Sequence, residues 1–213
     1  MTQKRHIKLT LISLLLIVVL LSCTLSTTKH LIETNTTSTT FTNTYFSDTK
    51  RDYVYKANID VYGKHFGGLM IVKKIANEHH RVVFTTEFGS KILDIEVLEN
   101  DFKINFVLEE LNKKIVLNTL KKDFKILVQE NHTVEKTYSN DDAIVYQSKA
   151  GKRTNYFFVN DCSRDLKKIV NTSKTKEKVI ITFEKTAKAL AKEISIDHKN
   201  IKLSIDLKYL DAN

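Results

Sequence analysis

From residue 51 to the C-terminus the chain repeats with a period of two, and that repeat confines it to a mainly antiparallel β fold. Tyr53, Tyr55, Ala57, Ile59 and Val61 alternate with Lys56, Asn58 and Asp60, which sets apolar side chains on one face of a strand and polar ones on the other. The same alternation recurs over 69–75, 81–87, 91–97 and 102–108. Between the runs stand Gly63-Lys64-His65-Phe66-Gly67, Asn77-Glu78-His79, Phe88-Gly89-Ser90 and Glu99-Asn100-Asp101, all rich in turn-forming residues. Sequential strands on such short connections predict a meander.

The period then changes. Leu111, Ile115, Leu117, Leu120, Phe124, Leu127 and Val128 fall at helical spacing, with Lys113, Lys114, Lys121 and Lys125 largely on the opposite side, so one amphipathic helix is expected here. Strands resume over 133–138, 142–148, 156–160, 167–171, 179–183, 193–197 and 200–207. The last two share an oily face and a turn at Asp197-His198-Lys199-Asn200, which predicts a closing hairpin. A dozen or so strands with one helix imply a strongly curved sheet wrapped around something. Tight-turned repeat solenoids are disfavoured, because the chain has no Pro and only 5 Gly.

Ahead of this body lies a basic head with Lys4, Arg5 and Lys8, then an h-region from Leu9 to Leu21 that is apolar but for one Ser, then Ser22-Cys23. The run is too short for a membrane span, which needs about 20 apolar residues, and has the anatomy of a secretory signal. It resembles the bacterial lipobox, so residues 1–22 are expected to be removed and Cys23 to become a lipidated N-terminus. A single acyl chain holds a membrane only marginally, and stable anchoring needs more than one. Residues 24–50 are dominated by Thr, Asn and Ser, as in 34–40, which cannot bury enough apolar surface to offset ordering. Residues 23–50 therefore read as a lipidated cysteine and flexible tether with a reach of roughly 30 Å, of which 41–48 alone are candidates to dock. Residues 51–213 form the domain.

The net charge is +9, and subtracting the three basic residues of the signal leaves +6. This excess is dispersed along the chain, without the basic clusters interleaved with aromatics that nucleic-acid binding requires; mild attraction to anionic lipid is the expected consequence. Lipidation of Cys23 leaves Cys162 without an intramolecular partner, and it reads as a small hydrophobe.

No catalytic or metal constellation emerges, and no cofactor is expected. His79 and His80 are adjacent, so on a strand they point to opposite faces, a poor geometry for chelation, and they read as surface residues. Asp94 and Glu96 lie opposite Leu93 and Ile95, on the solvated side. Asp141-Asp142 reads as a polar turn. Glycine-rich phosphate loops, nucleophile elbows and paired-cysteine motifs are all missing.

Two segments carry a family resemblance. Arg81-Val82-Val83-Phe84-Thr85-Thr86-Glu87-Phe88-Gly89-Ser90 followed by Ile92-Leu93-Asp94-Ile95 resembles the strand, protruding loop and strand of the LolB family of outer-membrane lipoprotein receptors. Ile115-Val116-Leu117-Asn118-Thr119-Leu120 resembles the start of that family's internal helix. The closing hairpin and the position of the lipobox are similar too. The resemblance implies an unclosed antiparallel half-barrel of about 11–12 strands with the helix as lid or plug over an apolar cavity. It further implies a non-enzymatic, monomeric protein, lipid-anchored on the periplasmic side of the outer membrane. Such a protein holds lipoprotein acyl chains or phospholipid and is supplied by a soluble LolA-like carrier. Phe88, with Gly89, occupies the position of the loop residue that enters the membrane.

From periodicity, Tyr55, Ile59, Leu69, Ile71, Leu93, Ile95, Phe106, Leu120 and Phe124 are the inward residues. They serve a packed core and the wall of a lipid cavity equally well. Phe88 has two readings likewise, exposed at a hairpin tip or folded back onto the sheet. A structural or assembly lipoprotein that binds an envelope protein without lipid transfer is the alternative function.

Overall fold

The computed structural model describes residues 25–35, 38–185 and 190–211; the signal segment and Cys23 lie outside the described residues. The chain runs through β1 (Ile32–Thr34), β2 (Thr40–Thr42), β3 (Asp52–Val61), β4 (Lys64–Ala76), β5 (His79–Thr85), β6 (Lys91–Val97) and β7 (Phe102–Val107). The helix α1 (Lys114–Val128) follows. Then come β8 (Asn131–Thr133), β9 (Lys136–Ser139), β10 (Ala143–Ala150), β11 (Arg153–Asn160), β12 (Leu166–Ser173), β13 (Lys176–Lys185), β14 (Ala191–His198) and β15 (Leu203–Tyr209).

Thirteen strands form one antiparallel sheet in the order β1-β9-β10-β11-β12-β13-β14-β15-β3-β4-β5-β6-β7, and β2 pairs with β8. Two meanders, β3–β7 and β9–β15, are thus joined by β15 pairing with β3 from Leu203–Val61 to Tyr209–Tyr55. Among the described residues β1 and β7 are the end strands and do not pair with each other, so the sheet is an unclosed half-barrel. The connection from β7 to the far end of the sheet is α1 itself, which therefore has to cross the concave side. Among the described residues no helix is long and apolar enough to span a membrane.

The expected phase holds on β3, where Tyr53, Tyr55, Ala57, Ile59 and Val61 are all buried. On β4 it does not. Leu69 and Ile71 lie opposite Lys56 and Val54 on the outer face, and Met70 and Val72 lie opposite Tyr55 and Tyr53 in the core. The run Leu69-Met70-Ile71-Val72 is apolar in both phases, so only its register against β3 chooses the buried set. Phe106 is displaced as well. A bulge between Asp94 and Ile95 gives β7 one extra residue, so Phe106 pairs with Asp94 on the outer face and is 39% exposed.

The helix begins at Lys114, after a 3-10 turn at Glu109–Leu111. Its buried stripe is Val116, Leu120, Asp123, Phe124 and Leu127, while Ile115, expected inward, is 55% exposed. The tether reading also changes. Leu25 and Leu31 pack on Val145, Tyr156 and Val170 of the outer face, Thr27 donates to Glu177 at 2.6 Å, and β1 pairs with β9. Phe41, Asn43, Tyr45 and Phe46 are buried. Asn43 Nδ2 donates to the Leu127 carbonyl at 3.0 Å, satisfying an end of α1 that has no intrahelical partner. Polar composition correctly describes the surface of this segment, but a few apolar anchors pin it to the sheet. Cys162 is exposed in the β11–β12 turn, not packed as a hydrophobe.

Candidate functional site

Three regions could carry function: the interior beneath α1, the slot between the ends of the sheet, and the β5–β6 loop. The interior is filled. Tyr55, Ile59, Leu93, Ile95, Leu120 and Phe124 are at most 1% exposed. A hollow wide enough for an acyl chain would leave accessible surface on its walls, and these walls have almost none. The inward assignment of these six stands, whereas Leu69, Ile71 and Phe106 do not join them.

The interior also holds polar groups that periodicity did not reveal. Asp123 lies on the buried stripe of α1 and accepts a hydrogen bond from His198 Nε2 at 2.9 Å. Its Oδ1 has no hydrogen-bond partner. Burial, the largest influence, pushes the Asp123 carboxyl up, and His198 pulls it back down. A carboxylate spaced three residues from Leu120 and four from Leu127 was a readable sign that the apolar stripe was interrupted. Nothing local identified its partner, which is 75 residues away.

His132 and His80 are buried too. His132 packs against Phe157 at 4.3 Å and donates to the Gln129 carbonyl at 3.1 Å. Desolvation lowers it from 6.5 to about 4. His80 is not a surface residue: its Nε2 donates to the Phe46 carbonyl at 3.1 Å, and burial lowers its pKa. Below the ordinary histidine value the unfolded chain accepts protons that these folded imidazoles refuse, so stability must fall as pH drops from about 6.5 towards about 4. Urea midpoints should show this decline, and His132→Gln should make it shallower. A pH dependence unchanged by the substitution would contradict the assignment.

On the outer face Asp94 is fully covered, not solvated. Arg81 holds it with two hydrogen bonds of 2.9 and 2.8 Å, and Lys91 and Asn105 add others. Chiefly through Arg81, its carboxyl is held far below the usual range. Asn105, then Lys103 and His79, lower Glu96 to about 2. These carboxylates tie β5, β6 and β7 together beneath the loop.

That loop presents Phe88, which is 98% exposed. Its backbone is fixed: Thr86 N–H donates to the Ser90 carbonyl at 2.8 Å and Gly89 N–H to the Thr86 carbonyl at 3.0 Å. Ser90 N–H also donates to Thr86 Oγ1 at 3.1 Å. Gly89 adopts φ +84°, which favours glycine. At the loop's base a Cβ on Gly68 would sit 1.9 Å from the Thr85 carbonyl oxygen, so only glycine lets β5 pass so close to β4. By register the β3–β4 turn, with half-exposed Tyr62, lies at the same end of the sheet.

The slot is a groove of about 570 Å³ between α1 and the β10–β11 hairpin. Lys122, Lys125, Ile126 and Gln129 line one side, Ser148 to Arg153 the other, with Phe102 at the start of β7 and Asn155 and Asn171 among the remaining lining residues. Along the strand register Phe102 and the β10–β11 turn belong to opposite ends of the sheet. Their meeting across one groove reflects the accumulated twist of the ribbon.

No protein-family model matches the sequence, and no curated protein matches it. Solved structures do. A LolA superfamily protein from Nitrosomonas europaea superposes with a TM-score of 0.51 at 12% identity, covering 79% of this chain and 87% of that one. An outer membrane lipoprotein-sorting protein domain from Vibrio parahaemolyticus gives 0.43 at 7% identity, covering 78% and 86%. The unclosed antiparallel sheet with α1 across its concave side is the LolA-like fold.

Proposed function

We propose that this chain is a lipoprotein-sorting protein of the cell envelope. It is anchored through acyl chains on Cys23 in the outer membrane, faces the periplasm, and passes lipoproteins received from a soluble LolA-like carrier into the bilayer. The observation that carries this reading is Phe88, an aromatic ring held clear of the domain on a hydrogen-bonded turn of a LolA-like sheet. A fully exposed Phe on a rigid tip gains roughly 1.5–3 kcal/mol on entering hydrocarbon, enough to aid contact and too little to anchor. The interior is closed as it stands, so acyl chains enter only if α1 swings off the sheet, with loss of the His198–Asp123 contact.

Because Phe88 has almost no contacts to lose, Phe88→Glu should leave the thermal midpoint unchanged. It should weaken association with phosphatidylglycerol-containing vesicles by about tenfold, measured by flotation. Equal flotation of both proteins would remove Phe88 from the mechanism. Native mass spectrometry of the purified protein should detect fatty acid or phospholipid.

The closed interior and the edge of β7, unpaired among the described residues and with Ile104 and Phe106 partly exposed, favour a second reading. In it the chain is an assembly lipoprotein that pairs its sheet edge with another envelope protein. Cross-links confined to β7, together with a lipid-free protein, would select that reading.

A further inference from the structure

We propose that the groove between α1 and the β10–β11 hairpin is a binding site for a phosphate-bearing ligand, with Lys122, Lys125, Lys152 and Arg153 as its recognition groups. The site goes beyond the lipoprotein-sorting reading and stands or falls apart from Phe88 and the interior.

Charge is the first argument. The groove is lined by Lys122, Lys125, Lys149, Lys152 and Arg153 and by no carboxylate. Elsewhere many lysines are neutralised by neighbours, as in Lys56–Glu87, Lys73–Asp52, Lys103–Glu96 and Lys136–Glu33. Among the described residues neither Lys122 nor Lys152 has an ion-pair partner. Of the acids nearby, Glu135 pairs with Lys149 at 3.3 Å, Asp123 bonds His198 at 2.9 Å, and Glu78 accepts a hydrogen bond from the lining residue Asn131 at 3.2 Å. A concave, single-sign surface over a low-dielectric interior concentrates anions more strongly than scattered surface lysines do.

Geometry is the second argument. Ser148, Asn155 and Asn171 are paired across β10, β11 and β12 and are buried. They form a continuous polar patch on an otherwise mostly apolar inner face. Arg153 Nη1 donates to Asn171 Oδ1 at 2.7 Å, and Asn171 Nδ2 donates to Asn155 Oδ1 at 2.6 Å. The guanidinium is therefore held in place with most of its N–H donors unspent. Lys125 is similarly positioned by a 2.7 Å bond from Nζ to the Glu99 carbonyl. Pre-set cationic donors around a pocket of this size suit the several acceptor oxygens of a phosphate, whose charge-assisted bonds are the strong ones. Phe102 and Ile126 supply apolar wall beside the cations, so a phospholipid headgroup fits the groove as well as free phosphate does.

The purified full-length protein, titrated at low salt, tests this with three probes: inorganic phosphate, glycerol 1-phosphate, and dihexanoyl phosphatidylglycerol below its micelle concentration. Saturable binding of at least one is expected, with amide shifts concentrated at Gly151, Lys152 and Arg153. The double substitution Lys122→Glu and Lys152→Glu should weaken it by about tenfold or more. Lys64→Glu with Lys202→Glu makes the same change of net charge on exposed residues outside the groove and should leave affinity within about twofold. Saturation by the lipid alone would identify a headgroup as the source, and equal affinity for inorganic phosphate would identify free phosphate. Saturation by none of the three, or equal weakening by both double substitutions, would overturn the proposal.

Discussion

Phe124→Ala is expected to lower the stability of the domain by about 3–5 kcal/mol, read as a fall in the urea midpoint with little change in slope. Phe124 has no exposed surface and sits on the buried stripe of α1 between Leu120 and Leu127. Truncating its ring removes the transfer energy of a buried aromatic and leaves a hole that the surrounding sheet can only partly close. The same experiment bears on function. Were Phe124 the wall of a roomy lipid cavity, its loss would enlarge existing space and cost far less. A change below about 1 kcal/mol would therefore reinstate a hollow interior. An engineered hole lined by Leu, Ile and Phe side chains also offers apolar ligands a dry site, so the variant should take up fatty acid more readily than the parent.

His198→Leu should be about as damaging, at roughly 3–5 kcal/mol, because removing one member of a buried pair leaves the other buried without its partner. Asp123 already has one oxygen without a hydrogen-bond partner, and His198 provides the 2.9 Å bond to the other. The double variant Asp123→Leu with His198→Leu should recover most of the loss, since well-packed hydrophobic replacements of buried pairs are often neutral or better. A double variant no more stable than His198→Leu alone would show that the damage lies in packing around β14 and not in a stranded carboxylate. The pair clips the middle of α1 to the inner face of the sheet, at the contact that must open if acyl chains are to enter. The recovered double variant should therefore differ from the parent in lipid uptake while matching it in stability.

How far local pattern could be read depends on whether it had one solution. β3, with apolar and polar residues alternating from Tyr55 onward, was legible in full; so were the inward positions Leu93 and Ile95 of β6, though not the cover over Asp94, and the core positions Leu120 and Phe124. β4 was legible as a strand but not in phase, because four consecutive apolar residues satisfy either face. Phe106 was misplaced because a bulge is a property of two strands together and cannot be seen in one. The exposed loop at Phe88 was legible as a turn through Gly89. That the ring stands clear of the sheet is a property of the folded loop, whose ends are tied by the hydrogen bonds between Thr86 and Ser90.

The order of apolar and polar residues determined by itself that this chain forms antiparallel strands interrupted by one amphipathic helix, since side-chain periodicity is a local consequence of backbone geometry. Tertiary structure alone decided which strands became neighbours across long separations. It joined β15 to β3, drew residues 25–34 onto the sheet, and brought His198 to Asp123. It also set the slot between Lys122 and Arg153 by twisting the sheet until distant strand ends met. Each of these depends on how much surface the whole ribbon can bury by curving round its helix, and that quantity belongs to no short stretch of the chain.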